Sequence, residues 1–307
     1  MIKTDHLTKR YGSLTAVDAV SFQVGPGEVL GFLGPNGAGK TTTMRMLAGF
    51  VSPTAGSASI CGHDVERATL AAKAALGYLP EGAPLYGEMT VSGFLDFIAS
   101  LRGLEGERRA QRLTHVIEHL QLGAVLEQTI ETLSKGFRRR VGLAQAIVHD
   151  PPVLILDEPT DGLDPNQKHE VRTLINTMAR DKIIVISTHL LEEVEAVCTR
   201  AIIIARGRIV ADDTPAGLAA RSRYHNAVSV RLEQPAQLAA ARAALAALPG
   251  VAAVEVSERD ARLTALPRAG TMILPAVSAL AAAQSLKLQE LHLESGRLDE
   301  VFRTITA

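Results

Sequence analysis

Residues 29–41, VLGFLGPNGAGKT, join an apolar run to a glycine-rich loop. The glycines let successive backbone N–H groups turn inward around an anion, and the helix that follows adds the positive end of its dipole. In the pattern G-x-x-x-x-G-K-[ST], Lys40 reaches the β- and γ-phosphates, and the hydroxyl of Thr41 ligates Mg²⁺. The loop therefore predicts a bound nucleoside triphosphate with Mg²⁺. Its predicted contacts are Gly34, Asn36, Gly37, Ala38, Gly39, Lys40, Thr41 and Thr42.

The composition indicates a globular chain with one large and one smaller domain. It has 307 residues, of which 47% are hydrophobic, and this is enough to bury a substantial core. Its 32 basic and 33 acidic side chains nearly cancel, so the net charge gives no general attraction to nucleic acid or anionic membranes. Cys61 and Cys198 have neither metal-ligand spacing nor the pattern of a disulfide framework, which fits a reducing cytoplasm.

No membrane span is predicted. The N-terminus lacks the basic start and continuous apolar stretch of a secretory signal. The longest uncharged window, Ala269–Leu286, is interrupted by Gly270 and Pro275 and is mostly alanine where it resembles a helix. The chain is therefore expected in the cytoplasm, and any membrane role requires docking on a separate membrane protein.

Residues 1–219 predict an α/β domain with a mostly parallel central sheet, because short β-branched runs alternate with helical segments. Continuous apolar runs at Val153–Leu156 and Ile183–Ser187 are typical of strands covered on both faces. Helical periodicity over Thr90–Leu126 predicts an inserted helical lobe, which we place at about residues 82–140.

Residues 220–307 predict a second, smaller α+β domain. Its expected order of strand, helix, two strands, helix and strand is that of a ferredoxin-like sandwich. We expect an accessory packing or dimer-contact module. A dedicated ligand sensor is the alternative, but no convergent polar cluster favours it. The predicted elements are a strand at 227–232, a helix at 235–248, strands at 251–257 and 262–266, a helix at 274–283, a strand at 286–293 and a final helix at 298–305.

Two adjacent carboxylates follow the run Val153–Leu156. Successive strand side chains point to opposite sides, so Asp157 and Glu158 need not do the same work. Asp157 is predicted to hold Mg²⁺ directly or through water, and Glu158 to polarise a water that attacks the γ-phosphate. A solvated pair of carboxylates at a strand end is the simpler alternative, but the phosphate loop upstream favours catalysis.

Four motifs occur in the order found in ATP-binding subunits of ABC transporters: the phosphate loop, Leu133–Phe137, Leu156–Pro159 and Ser187–His189. Residues 2 to about 219 resemble that family, and the Leu-Ser-x-Gly segment resembles the signature that distinguishes it from other phosphate-loop enzymes. The resemblance implies an ABC ATPase fold that hydrolyses ATP. It also implies a head-to-tail homodimer with ATP sandwiched between the two copies.

By the same resemblance, Ser134 and the backbone of Gly136 touch the γ-phosphate held by the partner copy. Asp164 lies in the loop that crosses the dimer interface and couples the two ATP sites. Lys135 and Phe137 depart from the usual Gly and Gln of the signature.

Three further roles are implied by the resemblance. Tyr11 stacks on adenine, and His189 contacts the γ-phosphate and reports its presence. Glu81 stands where the family usually has Gln, at a position that links the γ-phosphate and Mg²⁺ to the helical lobe. A carboxylate there repels phosphate when the metal is absent, so sharp metal dependence is expected. The predicted catalytic set is Lys40, Glu81, Glu158 and His189, and the predicted metal ligands are Thr41, Glu81 and Asp157.

The basic run Arg138–Arg140 follows the signature. We expect it to make ion pairs within the domain or to form a solvated face. Nucleic-acid contact is the alternative, but no interleaved aromatic side chains support it, so no nucleic-acid partner is expected.

The segments 78–86 and 296–302, together with the signature, resemble the ATPases of bacterial ABC-2-type exporters, including gliding-motility and multidrug types. This resemblance implies a subunit peripheral to the inner face of the cell membrane that drives a separate permease. A soluble ABC ATPase acting on ribosomes or DNA is the alternative, and a nucleotide-gated scaffold with negligible turnover is a third. The cargo is not indicated by any motif.

Overall fold

The computed structural model describes residues 1–82 and 85–306. These form two compact units, Met1–Thr214 and Pro215–Ile305. Ala83 and Pro84, which belong to the predicted lobe and to the exporter-like segment 78–86, lie outside the described residues. Because the division falls before the short helix at Pro215–Ala219, that helix belongs to the second unit. Functional domains at 1–219 and 220–307 stay a prediction.

The first unit contains two sheets and a group of helices. Its strands are β1 (Ile2–Tyr11), β2 (Leu14–Val24), β3 (Val29–Leu33), β4 (Ala55–Ile60), β5 (His63–Asp64), β6 (Leu76–Leu79), β7 (Val153–Asp157), β8 (Ile183–Thr188), β9 (Arg200–Ala205) and β10 (Arg208–Asp213). Its helices are α1 (Lys40–Leu47), α2 (Thr69–Ala74), α3 (Val91–Leu101), α4 (Gly106–His119), α5 (Lys135–Ile147), α6 (Pro165–Met178) and α7 (Leu191–Val197).

The central sheet has the strand order β10-β9-β3-β8-β7-β6. β9, β3, β8, β7 and β6 run parallel, and β10 pairs with β9 antiparallel. Every residue of β3, β7 and β8 is buried, as expected for parallel strands covered on both faces. This confirms the predicted α/β class. It also places the carboxyl ends of β3, β7 and β8 side by side.

A second, antiparallel sheet with the order β2-β1-β4-β5 was not predicted. Strand β1 does not alternate cleanly between buried and exposed positions, because its pairing with β2 shifts register between Thr4 and Leu7. His6 lies in that shift with φ 46°. Such an irregularity adds residues to one strand and breaks the period of two on which sequence reasoning depends.

The predicted helical lobe corresponds to α3, α4 and the start of α5. The predicted end near residue 140 falls inside α5, which continues to Ile147 and packs against β6. Thr90 begins α3, where its hydroxyl accepts a hydrogen bond from the amide of Gly93. Ser134 begins α5 in the same way, accepting from the amide of Phe137.

The second unit is the predicted ferredoxin-like sandwich. Its sheet is antiparallel with the order β12-β13-β11-β14, and its core includes Val228, Val230, Leu245 and Val277. Within the described residues, no helix of the chain is long and apolar enough to span a bilayer. The elements of the second unit are α8 (Pro215–Ala219), β11 (Val228–Leu232), α9 (Leu238–Ala246), β12 (Val251–Ser257), β13 (Arg262–Pro267), α10 (Leu274–Ala283), β14 (Leu288–Leu293) and α11 (Leu298–Thr306).

Candidate nucleotide-binding site

The glycine-rich loop between β3 and α1 borders a pocket of about 460 Å³. Gly37 and Gly39 have φ values of 78° and 109°, which side-chain-bearing residues rarely adopt. A Cβ on Gly39 would lie 2.5 Å from the carbonyl oxygen of Ala16, so glycine is also required by space. The predicted site residues that line this pocket are Tyr11, Asn36, Gly37, Gly39, Lys40, Thr41, Thr42, Glu81 and Glu158.

Gly34 and Ala38 belong to the loop but do not line the pocket. A Cβ on Gly34 would lie 2.5 Å from the carbonyl oxygen of Ile204 and 3.0 Å from the Cβ of Ala38. Gly34 therefore packs closely against Ile204 of β9 and against Ala38. In these positions Gly34 and Ala38 can maintain the shape of the loop.

The ammonium group of Lys40 is held inside the loop. Its Nζ donates to the carbonyl oxygen of Gly34 at 2.6 Å and lies 3.3 Å from that of Pro35. The residue is only 6% exposed, and burial lowers its pKa, while the negative charges of Glu158 and Asp157 act in the opposite direction. An ammonium group has three N–H donors. At least one therefore remains for a phosphate oxygen.

Asp157, at the end of β7, is fully buried. Its Oδ1 accepts a 2.6 Å hydrogen bond from the hydroxyl of Ser187 at the end of β8. Among the described residues, its Oδ2 has no hydrogen-bond partner, although a buried carboxylate oxygen normally has one. An oxygen in this state fits a role in binding a cation or an ordered water.

Glu158 follows Asp157 with φ 53°, in the left-handed region. Its side chain is 14% exposed, and both carboxylate oxygens lie 3.0 Å from Nδ1 of His189. An ionised carboxylate only accepts hydrogen bonds, so a hydrogen bond from His189 to an ionised Glu158 requires the tautomer with a proton on Nδ1. The left-handed turn thus brings Glu158 to the pocket and to His189, while Asp157 stays inside.

In the described part of the chain, no three or more His, Cys, Asp or Glu side chains are grouped so that they could hold an ion. Mg²⁺ at phosphate sites usually takes one or two protein ligands and completes its shell with phosphate oxygens and water. Thr41, Glu81 and the unpartnered Oδ2 of Asp157 are compatible with that mode of binding.

Ser134, Gly136 and Asp164 do not line the pocket of their own chain. Ser134 and Asp164 are exposed residues that begin α5 and α6. Gly136 is buried against α6, since a Cβ there would lie 2.6 Å from Oε1 of Gln167. Lys135, the departure from the usual signature, pairs with Asp161 at 2.8 Å. The signature and the loop before α6 are therefore joined by the Lys135–Asp161 ion pair and lie outside the pocket lining of their own chain.

The arginine run is mostly buried, which was not predicted. Arg138 is exposed, but Arg139 and Arg140 are only 6% and 7% exposed. Arg140 makes an expected ion pair, with Glu170 at 2.8 Å. Arg139 instead donates to backbone carbonyl oxygens. Its spacing of three from buried Gly136 and four from buried Leu143 could have placed it on the buried face of the helix.

Comparisons with known proteins identify the family of the chain. Residues 17–161 match the ABC transporter family. Nod factor export ATP-binding protein I of Paraburkholderia xenovorans (strain LB400) is 40% identical over 220 residues, covering 71% of this chain and 72% of the relative. The protein named Probable multidrug ABC transporter ATP-binding protein YbhF, of Escherichia coli (strain K12), is 36% identical over 235 residues, which are 76% of this chain and 40% of that protein.

Solved structures share the fold. An ATP-binding subunit of an ABC transporter aligns with a TM-score of 0.67 at 30% identity, covering 71% of this chain and 91% of that one. A dimeric bacterial ABC transporter cassette aligns with a TM-score of 0.66 at 22% identity, covering 70% and 99%, and this likeness concerns the fold alone. ABC ATPase domains bind ATP. This chain belongs to the ABC transporter ATP-binding family and is an ATPase.

Proposed function

We propose that the chain is the ATP-hydrolysing subunit of a bacterial ABC-2-type exporter, peripheral to the cytoplasmic face of the membrane. The single observation that carries the proposal is the pocket in which the phosphate loop faces Glu158 and Glu81. Relatives named for Nod factor export and for multidrug transport support export as the direction.

In the proposed reaction, Glu158 accepts a proton from a water that attacks the γ-phosphorus of ATP, and ADP and inorganic phosphate leave. Nδ1 of His189 orients the carboxylate. Lys40 and the loop amides bind the phosphates, and the Tyr11 ring is available to stack on the adenine. Thr41, Asp157 and Glu81 would hold Mg²⁺, which offsets the negative charge of the phosphates when bound.

The surface that carries Ser134, Gly136 and Asp164 is proposed to meet the nucleotide of a second copy. Ser134 is exposed at the N-terminus of α5, a helix of 13 residues whose dipole favours an anion at that end. Since these residues do not line the pocket of their own chain, the proposal is that they contact ATP bound to a second copy. The ferredoxin-like unit is proposed to be an accessory packing or dimer-contact module.

An apolar groove is proposed as the docking site of the permease. It has a volume of about 770 Å³, and Phe50, Leu70 and Leu101 on its walls are 69%, 85% and 70% exposed. Its wall includes Pro80, the residue before Glu81 in the nucleotide pocket. A permease segment in the groove would therefore act one residue away from the ATP site. Lys73 and Arg102 beside it favour a segment that carries acidic residues.

Two measurements test the proposal. The purified chain should hydrolyse ATP, and Glu158→Gln should abolish turnover, whereas Glu118→Gln on the exposed face of α4 should not. Leu70→Asp should prevent co-purification with a multispan membrane protein, whereas Met272→Asp, at an equally apolar and 66% exposed position, should not. Co-purification with ribosomes or DNA in place of a membrane protein would contradict the transport role.

A further inference from the structure

Arg139 is a buried cation whose hydrogen bonds all go to main-chain carbonyl oxygens. Its Nη1 donates to Pro80 at 3.1 Å, its Nε lies 3.4 Å from the carbonyl oxygen of Pro159, and its Nη2 donates to those of Asp157 and Glu158. Burial lowers the pKa of Arg139, and the charges of Asp161, Asp157 and Glu158 oppose that shift. One planar guanidinium thus gathers four carbonyl groups from two separate segments.

Each segment carries one carboxylate that lines the nucleotide pocket, Glu81 in the first and Glu158 in the second. Pro80 precedes Glu81, and Asp157 and Pro159 flank Glu158. Arg139 lies in the second turn of α5, the helix that Ser134 caps at its N-terminus. Arg139 therefore links α5 to both segments that carry a carboxylate of the site, the one with Glu81 and the one with Glu158.

The backbone of Glu158 explains why such an attachment is needed. A non-glycine residue in the left-handed region is strained and persists only where its surroundings hold it. The amide of Glu158 donates to the carbonyl oxygen of Ser187 at 2.8 Å, and its own carbonyl oxygen accepts from the amide of Asp161 at 3.1 Å. Arg139 adds donors to the carbonyl groups on both sides of the Glu158 Cα.

We propose that Arg139 is a positioning residue for Glu158: its guanidinium holds the carbonyl groups of Asp157 and Glu158 so that the carboxylate is aimed at the attacking water. This inference rests on the proposed role of Glu158 as the general base. Arg139 does not line the pocket, and its hydrogen bonds go to residues 80 and 157–159 and not to the nucleotide loop. Its loss should therefore slow the chemical step and leave ATP binding by Lys40 and the loop amides nearly unchanged.

The test compares Arg139→Lys and Arg139→Gln with Arg138→Lys and Arg138→Gln. Arg138 is the adjacent, exposed arginine of the same helix, so the controls make the same chemical changes outside the core. For each variant we would measure kcat and KM for ATP at saturating Mg²⁺, the affinity for a fluorescent ATP analogue, and the melting temperature. Lysine keeps the charge but has no planar fork with which to reach four acceptors.

We expect kcat of Arg139→Lys to fall roughly tenfold or more, about 1.4 kcal/mol of transition-state stabilisation. ATP affinity should change by less than about threefold, because the interactions that hold ATP equally in the ground state and the transition state are unaffected. Arg139→Gln should lose more turnover than Arg139→Lys, and both Arg138 variants should match the unmodified chain. A selective loss of kcat is a result that a merely structural residue would not produce.

Three results would overturn the inference. They are a folded pair of Arg139 variants with unchanged kcat, losses of kcat and affinity of equal size, or failure of both variants to fold. Glu158→Gln measured in parallel separates this inference from the proposed function. If Glu158→Gln still turns over ATP, the base assignment itself fails; if it is inactive while both Arg139 variants are normal, only the positioning role fails.

Discussion

Gly39→Ala tests whether the phosphate loop is held by sterics at its narrowest point. The added Cβ would lie 2.5 Å from the carbonyl oxygen of Ala16, a backbone atom that cannot rotate away, and the residue would keep φ 109°. Unfavourable φ costs roughly 1–2 kcal/mol. Overpacking of this kind adds roughly 1–3 kcal/mol. We therefore expect a loss of about 3 kcal/mol in unfolding free energy.

For a unit of this size, each kcal/mol lowers the melting temperature by roughly 2–4 °C, so Gly39→Ala should melt about 6–12 °C lower than the unmodified chain. The assay is thermal unfolding without nucleotide, followed by titration with ATP. Gly103→Ala is the matched control, since Gly103 has φ 71° but nothing within 4 Å of its added Cβ. It should show the loss from the unfavourable φ alone, which is roughly 2–8 °C. Equal shifts in melting temperature for the two variants would refute the steric argument. Unchanged ATP affinity in Gly39→Ala would count against phosphate binding by this loop.

Three further predictions follow from the site and the core. Glu158→Gln should bind ATP, accumulate as a dimer on size-exclusion chromatography with Mg²⁺ and ATP, and lose nearly all turnover; turnover near that of the unmodified chain would remove Glu158 from the role of base. Lys40→Ala should weaken the binding of ATP more than the binding of adenosine in a fluorescence titration. An equal loss of affinity for the two ligands would mean that Lys40 does not contact the phosphates. Burial lowers the pKa of His149 to about 4, below its ordinary value near 6.5, so the unfolded chain binds more protons between those values and stability should fall as the pH drops through that window. His149→Gln should flatten the pH dependence of the unfolding free energy measured by urea denaturation. An unaltered dependence on pH would mean that His149 is not its source.

Sequence reasoning was strongest where one physical requirement governs a whole element. β7 and β8 could be predicted because a strand covered on both faces needs a continuous apolar run. The second unit could be predicted because its strands and helices alternate in period along the chain. The antiparallel sheet was missed because the register shift in β1 breaks the alternation that would have marked it.

The site was predicted as a set of residue types and only partly as an arrangement. The pocket brings most of the predicted loop residues together with Tyr11, Glu81 and Glu158, but not Gly34 and Ala38. The left-handed backbone of Glu158 was not predicted, because φ depends on contacts from distant segments. Arg139 was missed because a run of three basic residues indicates a surface, whereas its helical spacing places it under the site. The roles assigned to these residues stay predictions until the variants above are measured.

The hydrogen bonds of Lys40 to its own loop have a kinetic consequence. A long, flexible side chain normally loses rotational freedom when it captures an anion, and that loss opposes association. Here the chain has already restrained the ammonium group during folding. Binding of the triphosphate should therefore require little rearrangement of this cation. The association rate constant should then depend mainly on diffusion and on the release of water from the nucleotide pocket.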